Sequence, residues 1–342
     1  MNNGTQKYRA AIVGCGRIGF GFDQDPKRKY IATHSGAYSV VKGACLAAVC
    51  DADTQKLNAC KKKYPDLNAY TDIKEMLARE KIHLLSLCTP VQTHNSLLKE
   101  ALLFPIKAIF CEKPLAGTIP EAEEMVRLCR DKGVILQVDH QRRFDPMHIR
   151  IREEIAKGTF GEPYQVNFYY TAGIHNTGSH MFDLLRFFFG DIQWVAGTFS
   201  KSPSIKKEDP NVDGILKFKS GLTGTFQACD VNKYLIFEMR AFFEKGMLEL
   251  KHSGFSLEYY TPSESSYFSG YKELVRGRIS WPVKYKRNFM VRGVEHLIDC
   301  LKKETRSLSS GEDGLAALKL INAAIESAEN NNKKVMIKEC HE

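Results

Sequence analysis

A glycine-rich run, Gly14-Cys15-Gly16-Arg17-Ile18-Gly19, follows an apolar segment that reads as a strand and precedes one that reads as a helix. Glycine in such a run serves a tight turn, close approach of the backbone to a pyrophosphate and packing of the next helix, whose N-terminus faces the phosphates. Asp51 closes the following β-rich run, where a carboxylate can accept both hydroxyls of a ribose. The interval from Gly19 to Asp51 is 32 residues, longer than the usual ~20, and the excess is placed in an insertion from Phe20 to Tyr30 before a helix resumes near Thr33-His34. Residues 52–55 offer no arginine for a 2′-phosphate, so NAD is expected and NADP is less favoured. Two further runs end in groups able to do chemistry: Cys88-Thr89-Pro90, followed by His94, and Cys111-Glu112-Lys113-Pro114. Open α/β sheets bind ligands at that edge, and a cis Lys113-Pro114 bond would turn the lysine into a cleft.

The first 140 residues are read as a doubly wound parallel sheet. Short β-rich runs (Tyr8 to Gly14, Cys45 to Asp51, Ile82 to Cys88, Lys107 to Cys111, Val134 to Val138) alternate with helix-compatible segments such as Thr71 to Lys81 and Thr118 to Gly133. Beyond residue 140 the pattern predicts an α+β domain with a large, mainly antiparallel open sheet. Its strands are read at Tyr164 to Tyr170, Val212 to Lys219, Leu222 to Cys229, Leu235 to Phe243, Gly246 to Leu250 and Ser256 to Tyr260. Helices are expected over His148 to Lys157, Thr177 to Phe189, Val291 to Lys303 and Asp313 to Asn330, the last able to pack back on the first domain. Ser200 to Asn211 and Thr261 to Tyr285 read as loops. The expected division is 1–140 and 141–342.

These motifs, in this order, and with them Gln141-Arg142-Arg143-Phe144-Asp145-Pro146, Gly178-Ser179-His180-Met181-Phe182-Asp183-Leu184-Leu185 and Ser310-Gly311-Glu312-Asp313-Gly314, resemble one family. It is the glucose-fructose oxidoreductase/inositol dehydrogenase/MocA (Gfo/Idh/MocA) family of NAD(P)-dependent sugar and polyol oxidoreductases, and the similarity covers essentially the whole chain. It implies a Rossmann domain followed by an α/β domain whose sheet carries the substrate pocket on one face and oligomer contacts on the other. Lys113 matches the lysine of the E-K-P motif, and His180 the histidine of D-x-x-x-H-x-x-D. The first acid of that motif is replaced by Asn176, which cannot exchange protons and would orient a hydroxyl instead. The resemblance thus implies a catalytic set of Lys113, His180 and Asn176, with Lys113, Arg143, Asn176 and His180 on the substrate. Cofactor contacts are expected from Gly14, Gly16, Arg17, Ile18, Gly19, Asp51, Thr89, Pro90, His94, Glu112, Lys113 and Gln141.

Alcohol oxidation by NAD needs a base for the hydroxyl proton and a cation or donor at the oxygen while hydride leaves carbon. His180 suits the base and Lys113 the stabiliser, while Asp183, one helical turn on, orients the imidazole or caps structure. His175 and His180 lack a cysteine or carboxylate cluster, so no metal is expected. Asn176, Arg142, Arg143 and the basic residues Lys272, Arg276, Arg278 and Lys284 together point to an anionic sugar, a phosphosugar or a nucleotide-linked uronic acid. A catalytically silent NAD(P)-binding regulator is the alternative from another class. The net charge of +9 comes in short groups with no interleaved aromatic stripe, which argues against nucleic acid. Ten cysteines, Cys340 the last, contain no C-x-x-C pair and read as free thiols of a reducing compartment. With no membrane-length apolar stretch, a cytoplasmic homodimer or homotetramer is expected.

Overall fold

A computed structural model describes residues 7–281 and 287–338; Lys284, Tyr285 and Cys340 lie outside them. In chain order the strands and α-helices are β1 (Tyr8–Val13), α1 (His34–Val40), β2 (Ala44–Cys50), α2 (Thr54–Lys63), β3 (Asn68–Tyr70), α3 (Ile73–Arg79), β4 (Leu84–Leu87), α4 (His94–Ala101), β5 (Ala108–Cys111), α5 (Ile119–Asp131) and β6 (Ile135–Val138). There follow α6 (Pro146–Ala156), β7 (Pro163–Tyr170), α7 (Ser179–Phe189), β8 (Ile192–Phe199), β9 (Val212–Phe218), β10 (Thr223–Ala228), β11 (Glu238–Phe243), β12 (Gly246–Lys251), β13 (Ser256–Glu264) and β14 (Lys272–Arg276). The chain closes with α8 (Phe289–Lys303), α9 (Gly311–Glu329) and β15 (Val335–Met336).

Two compact units emerge, Met1–Asp145 with Arg287–Leu315, and Pro146–Lys286 with Ala316–Glu342. The expected cut at residue 140 therefore needs correction, because the chain returns to the first unit. The apolar face of α8 explains why: Met290, Val294, Leu297 and Ile298 join the same buried cluster as Ala10 and Ile12 of β1 and Tyr38 of α1. The start of α9 packs there too, since a Cβ on Gly311 or Gly314 would strike Leu136 or Val138.

In the first unit six parallel strands lie in the order β3-β2-β1-β4-β5-β6, the doubly wound arrangement. All four residues of β4, and all four of β5, are buried, as strands covered on both faces must be. Helix α5 shows how sequence sets an element here. Thr118 and Glu121 form a capping box, Pro120 sits in the first turn, and Ala122, Met125, Val126 and Cys129 fill the buried face.

The glycine-rich run does not open a continuous helix. Phe20 N–H donates to the Gly16 carbonyl, after which the ladder jumps: His34 N–H donates to Ile18 (3.2 Å) and Ser35 N–H to Gly19 (3.1 Å). In an unbroken helix those carbonyls would serve residues 22 and 23, so 12 residues are looped out of one helix without disturbing its register. Removing them returns the Gly19-to-Asp51 interval to 20 residues. Asp23 ties the loop off, accepting from Ala32 N–H (2.7 Å) and the Thr33 hydroxyl (2.5 Å).

The second unit is built on a nine-stranded sheet, ordered β14-β13-β12-β11-β7-β10-β9-β8-β15. All its pairings are antiparallel except β7 with β10. The segment expected as a loop from Thr261 corrects to a hairpin, in which β13 runs on to Glu264 and pairs with β14. Both strands are largely exposed there, so no alternation of apolar residues announced them. Strand β8 was missed for another reason, a register shift between Ile192 and Trp194 that breaks its period of two. No helix among the described residues is long and apolar enough to cross a membrane.

Candidate active site

The glycine-rich run, Asp51, Thr89 and the Glu112-Lys113 pair follow the C-terminal ends of β1, β2, β4 and β5, one edge of the parallel sheet. Gly14 has φ +97°, and a Cβ there would lie 2.6 Å from the Cys88 carbonyl carbon. On Gly19 it would lie 2.1 Å from the Gly14 oxygen, whereas Gly16 has nothing within 4 Å. The outer two glycines thus close the turn, and the middle one keeps its surface open, as approach of a pyrophosphate requires. Asp51 accepts from Cys15 N–H (2.7 Å) and Asp53 N–H (2.9 Å), which fixes the turn against the end of β2. A carboxylate has about four acceptor positions, so room remains for ribose hydroxyls. Lys56, one residue beyond the 52–55 segment, approaches both Asp51 and Asp53 at 3.7 Å.

Behind that edge the remaining expected residues have assorted work. Thr89 accepts a hydrogen bond from the Thr93 hydroxyl (2.7 Å). His94 is buried, with its ring nitrogens 3.1 Å from the Leu115 carbonyl and 3.0 Å from that of Thr89, which ties the loops after β4 and β5 together. Gln141 opens a short 3-10 turn after β6. Arg143, expected on the substrate, is buried, and its guanidinium meets the Leu308 carbonyl (2.9 Å) and the Asp313 carboxylate (2.9 Å). Burial pushes the neighbouring Arg142 down to about 10, against the pull of the Asp145 carboxylate.

Lys113 follows β5 at the active edge, and the Lys113-Pro114 peptide is cis as expected. Beside it lies a cluster that the sequence did not disclose. His34, Glu112 and Asp139 bring ligand-type atoms within 4.8 Å of one another, all buried. Burial pushes Glu112 up to about 7, against the pull of its Asp139 hydrogen bond and the Lys113 charge. Burial and the Glu112 charge raise Asp139 well above the ordinary carboxyl range, and burial lowers His34 to about 4.

In the second unit a π-helical turn, Ile174–Gly178, runs directly into α7. Such turns gather at functional sites because they displace side chains from the regular helical positions. Gly178 N–H reaches back to the Gly173 carbonyl. Asp209, from the 200–211 loop, caps the turn by accepting from His175 N–H (2.7 Å) and Asn176 N–H (3.0 Å), with His175 Nδ1 3.2 Å away. A Cβ on Gly173 would stand 2.1 Å from that carboxylate. Asn176 is exposed, His180 is buried in the first turn of α7 and Asp183 is buried one turn on. Asp209 also escaped the sequence reading, since an acid in a polar loop carries no signal of its own.

The first unit matches the NAD-binding Rossmann domain of the Gfo/Idh/MocA oxidoreductases over residues 8–140, and residues 173–337 match the family's C-terminal α/β domain. The chain belongs to this family. D-apiose dehydrogenase of Paraburkholderia graminis is 25% identical, with 95% of this chain and 88% of that protein covered. Myo-inositol 2-dehydrogenase of Thermotoga maritima is 25% identical over 63% of this chain and 66% of its own. Among solved structures, the WlbA dehydrogenase of Bordetella pertussis, in complex with NADH and UDP-GlcNAcA, superposes with a TM-score of 0.81 at 20% identity, covering 98% of this chain and 99% of that one. Like its relatives, this Gfo/Idh/MocA member is an NAD(P)-dependent oxidoreductase of the sugar and polyol dehydrogenase class.

Proposed function

We propose that this enzyme moves a hydride between NAD and a hydroxyl or keto carbon of a sugar, a cyclitol or a derivative of one. The observation that carries the reading is the shared edge: the open Gly16 surface, Asp51 and Lys113 all follow parallel strands of one sheet. NAD, when bound, supplies the hydride acceptor. Asp51 holds the ribose hydroxyls and repels a 2′-phosphate, which favours NAD over NADP even with Lys56 nearby. Lys113 steadies the substrate oxygen as charge develops on it, and His180 takes the hydroxyl proton, with Asn176 orienting a neighbouring hydroxyl. Two of the basic residues behind the anionic preference are engaged, Arg143 by Asp313 and Arg276 by Glu258 (3.0 Å). Neutral sugars and cyclitols therefore stand first. Large exposed side chains such as Ile215 on β9 and Tyr164 on β7 make the second unit's sheet the natural place for a homo-oligomer contact.

The test is a turnover screen of the purified protein with NAD and NADP against free sugars, cyclitols, phosphosugars and nucleotide sugars, followed by NADH absorbance. Oxidation of a neutral member with NAD is expected. Binding of NAD without turnover of any member would make the chain the silent regulator instead.

A further inference from the structure

The buried cluster beside Lys113 contains two carboxyl groups, and which of them carries the charge can be settled by following hydrogen bonds. Tyr38, Ser86 and His34 are all buried and form one row: Tyr38 Oη lies 3.0 Å from Ser86 Oγ, Ser86 Oγ 2.9 Å from His34 Nδ1, and His34 Nε2 3.0 Å from Glu112 Oε1. With burial keeping His34 neutral, the row can run in two directions. If Glu112 were the acid and donated to Nε2, then Nδ1–H would donate to Ser86 and Ser86 to Tyr38. The Tyr38 proton, at 1% exposure, would then have no acceptor among the described residues. In the opposite sense every donor is satisfied: Tyr38 donates to Ser86, Ser86 to Nδ1, and Nε2–H to Glu112 Oε1. An orphaned buried hydroxyl costs roughly 1–3 kcal/mol, so the second direction wins.

Glu112 thus accepts from His34, which a carboxylate does most strongly, and Asp139 decides which of the two acids is neutral. It is 2% exposed, and its Oδ1 has no hydrogen-bond partner among the described residues. A bare buried oxygen is tolerable on a neutral carboxyl and expensive on an ionised one. Glu112 by contrast receives His34, the Lys113 backbone N–H and Asp139. We propose that, at and above neutral pH, Glu112 is the carboxylate and Asp139 the acid that donates to it, so that Glu112 is the buried counter-ion holding Lys113 as an ammonium. His34 and Asp139 are then positioning residues, acting on the substrate oxygen only through Glu112 and Lys113. The inference rests on the catalytic reading of Lys113 above and sharpens it, because a lysine with a fixed counter-ion steadies charge and leaves proton removal to His180. The titratable groups facing Glu112 are His34 from α1, Cys88 after β4, Cys111 and Lys113 around the end of β5, and Asp139 after β6. Both thiols are pushed up by burial and stay uncharged, so the carboxyl pair and the lysine set the local charge.

The experiment reads protons directly in the full-length protein without substrate. Lysine side-chain NMR, with Lys113 assigned from a Lys113→Arg spectrum, follows the Lys113 titration in wild type, Glu112→Gln and Asp139→Asn. Loss of the opposite charge in Glu112→Gln should lower that titration by about one pH unit or more. Asp139→Asn keeps an N–H donor to Glu112 and should leave it within a few tenths. An Asp139→Asn shift as large as that of Glu112→Gln, or no shift in either, overturns the proposal. Should Glu112→Gln fail to fold, the side-chain carboxyl ¹³C shifts of the wild type near pH 8 decide: an ionised Glu112 beside a neutral Asp139 supports the assignment, and the reverse overturns it. Turnover of Lys113 variants judges the catalytic reading separately, since neither spectrum depends on it.

Discussion

The two units prepare the side chains proposed for catalysis in opposite ways. Lys113 follows an inner strand of a sheet covered on both sides, and its neighbour Glu112 is wired through His34 and Ser86 to Tyr38, residues of one helix and one further strand. His180 follows a π-helical turn held by one loop, through Asp209, the Pro210 carbonyl and the Asn211 side chain, with Asn176 exposed beside it. A site set by buried long-range contacts resists local change, whereas one set by a single loop yields to it.

The largest effect expected from breaking either half is on turnover. Lys113→Ala and His180→Ala should each lower kcat by ~10²-fold or more with NADH affinity nearly intact, because the interactions they remove form mainly in the transition state. Steady-state kinetics beside NADH titration checks this, and near wild-type turnover in either variant would remove that residue from the mechanism.

Next comes the pH response of the buried cluster. Glu112 titrates near 7 in the folded protein, above its unfolded value of 4.5, so its stabilising contribution is present below about 4.5 and is lost as pH rises through about 7. His34, lowered to about 4 from 6.5, contributes stability that is lost as pH falls from about 6.5 to about 4. The two oppose each other in wild type. Glu112→Gln removes the first, so between pH 7 and 4.5 the variant should lose roughly 2 kcal/mol more unfolding free energy than wild type does. Urea unfolding at both pH values measures it, and parallel losses would contradict the assignment.

Smaller effects separate the cofactor side from the π-turn. Asp51→Ala should weaken NAD by about 10-fold and narrow the gap to NADP, since a charged acceptor of ribose hydroxyls contributes about 1.5–3 kcal/mol. Calorimetry showing NADP bound more tightly by wild type would reverse the argument. Asp209→Asn should cost about 1 kcal/mol of stability, the ordinary scale of a helix cap, yet raise KM for the substrate more than it changes NADH affinity. Equal changes in both would mean that the cap acts on the whole fold.

What the sequence disclosed follows the same division. Gly14, Gly16, Gly19 and Asp51 were legible because turn, phosphate approach and ribose contact each demand a residue type at a set distance along the chain. Apolar periodicity placed β1, β2, β4, β5 and α5 within a few residues. His34 and Asp139 were not legible, since they lie 78 and 27 residues from Glu112 and meet it only once the sheet exists. Arg143 looked available because a sequence cannot show that Asp313, 170 residues later, already neutralises it. The exposed hairpin of β13 and β14 was hidden because its strands carry mostly polar residues on both faces.

The helix that the 12-residue loop interrupts is a unit in space without being one along the chain. Its ladder passes from Gly16 through Ile18 and Gly19 straight to His34 and Ser35, so the covalent path between Phe20 and Thr33 is not what aligns the two parts. Closing a loop of that length costs only about 2 kcal/mol of chain entropy, against which the Asp23 hydrogen bonds and the Arg17 and Arg28 guanidiniums over the Phe22 ring are set. The exposed Lys27 and Lys29 flank Arg28 in the outer part of this detour. A nick there would leave a strand-and-turn fragment and a long remainder that share one helix between them, which makes this the natural place to split the enzyme into two complementing pieces or to graft a reporter into it.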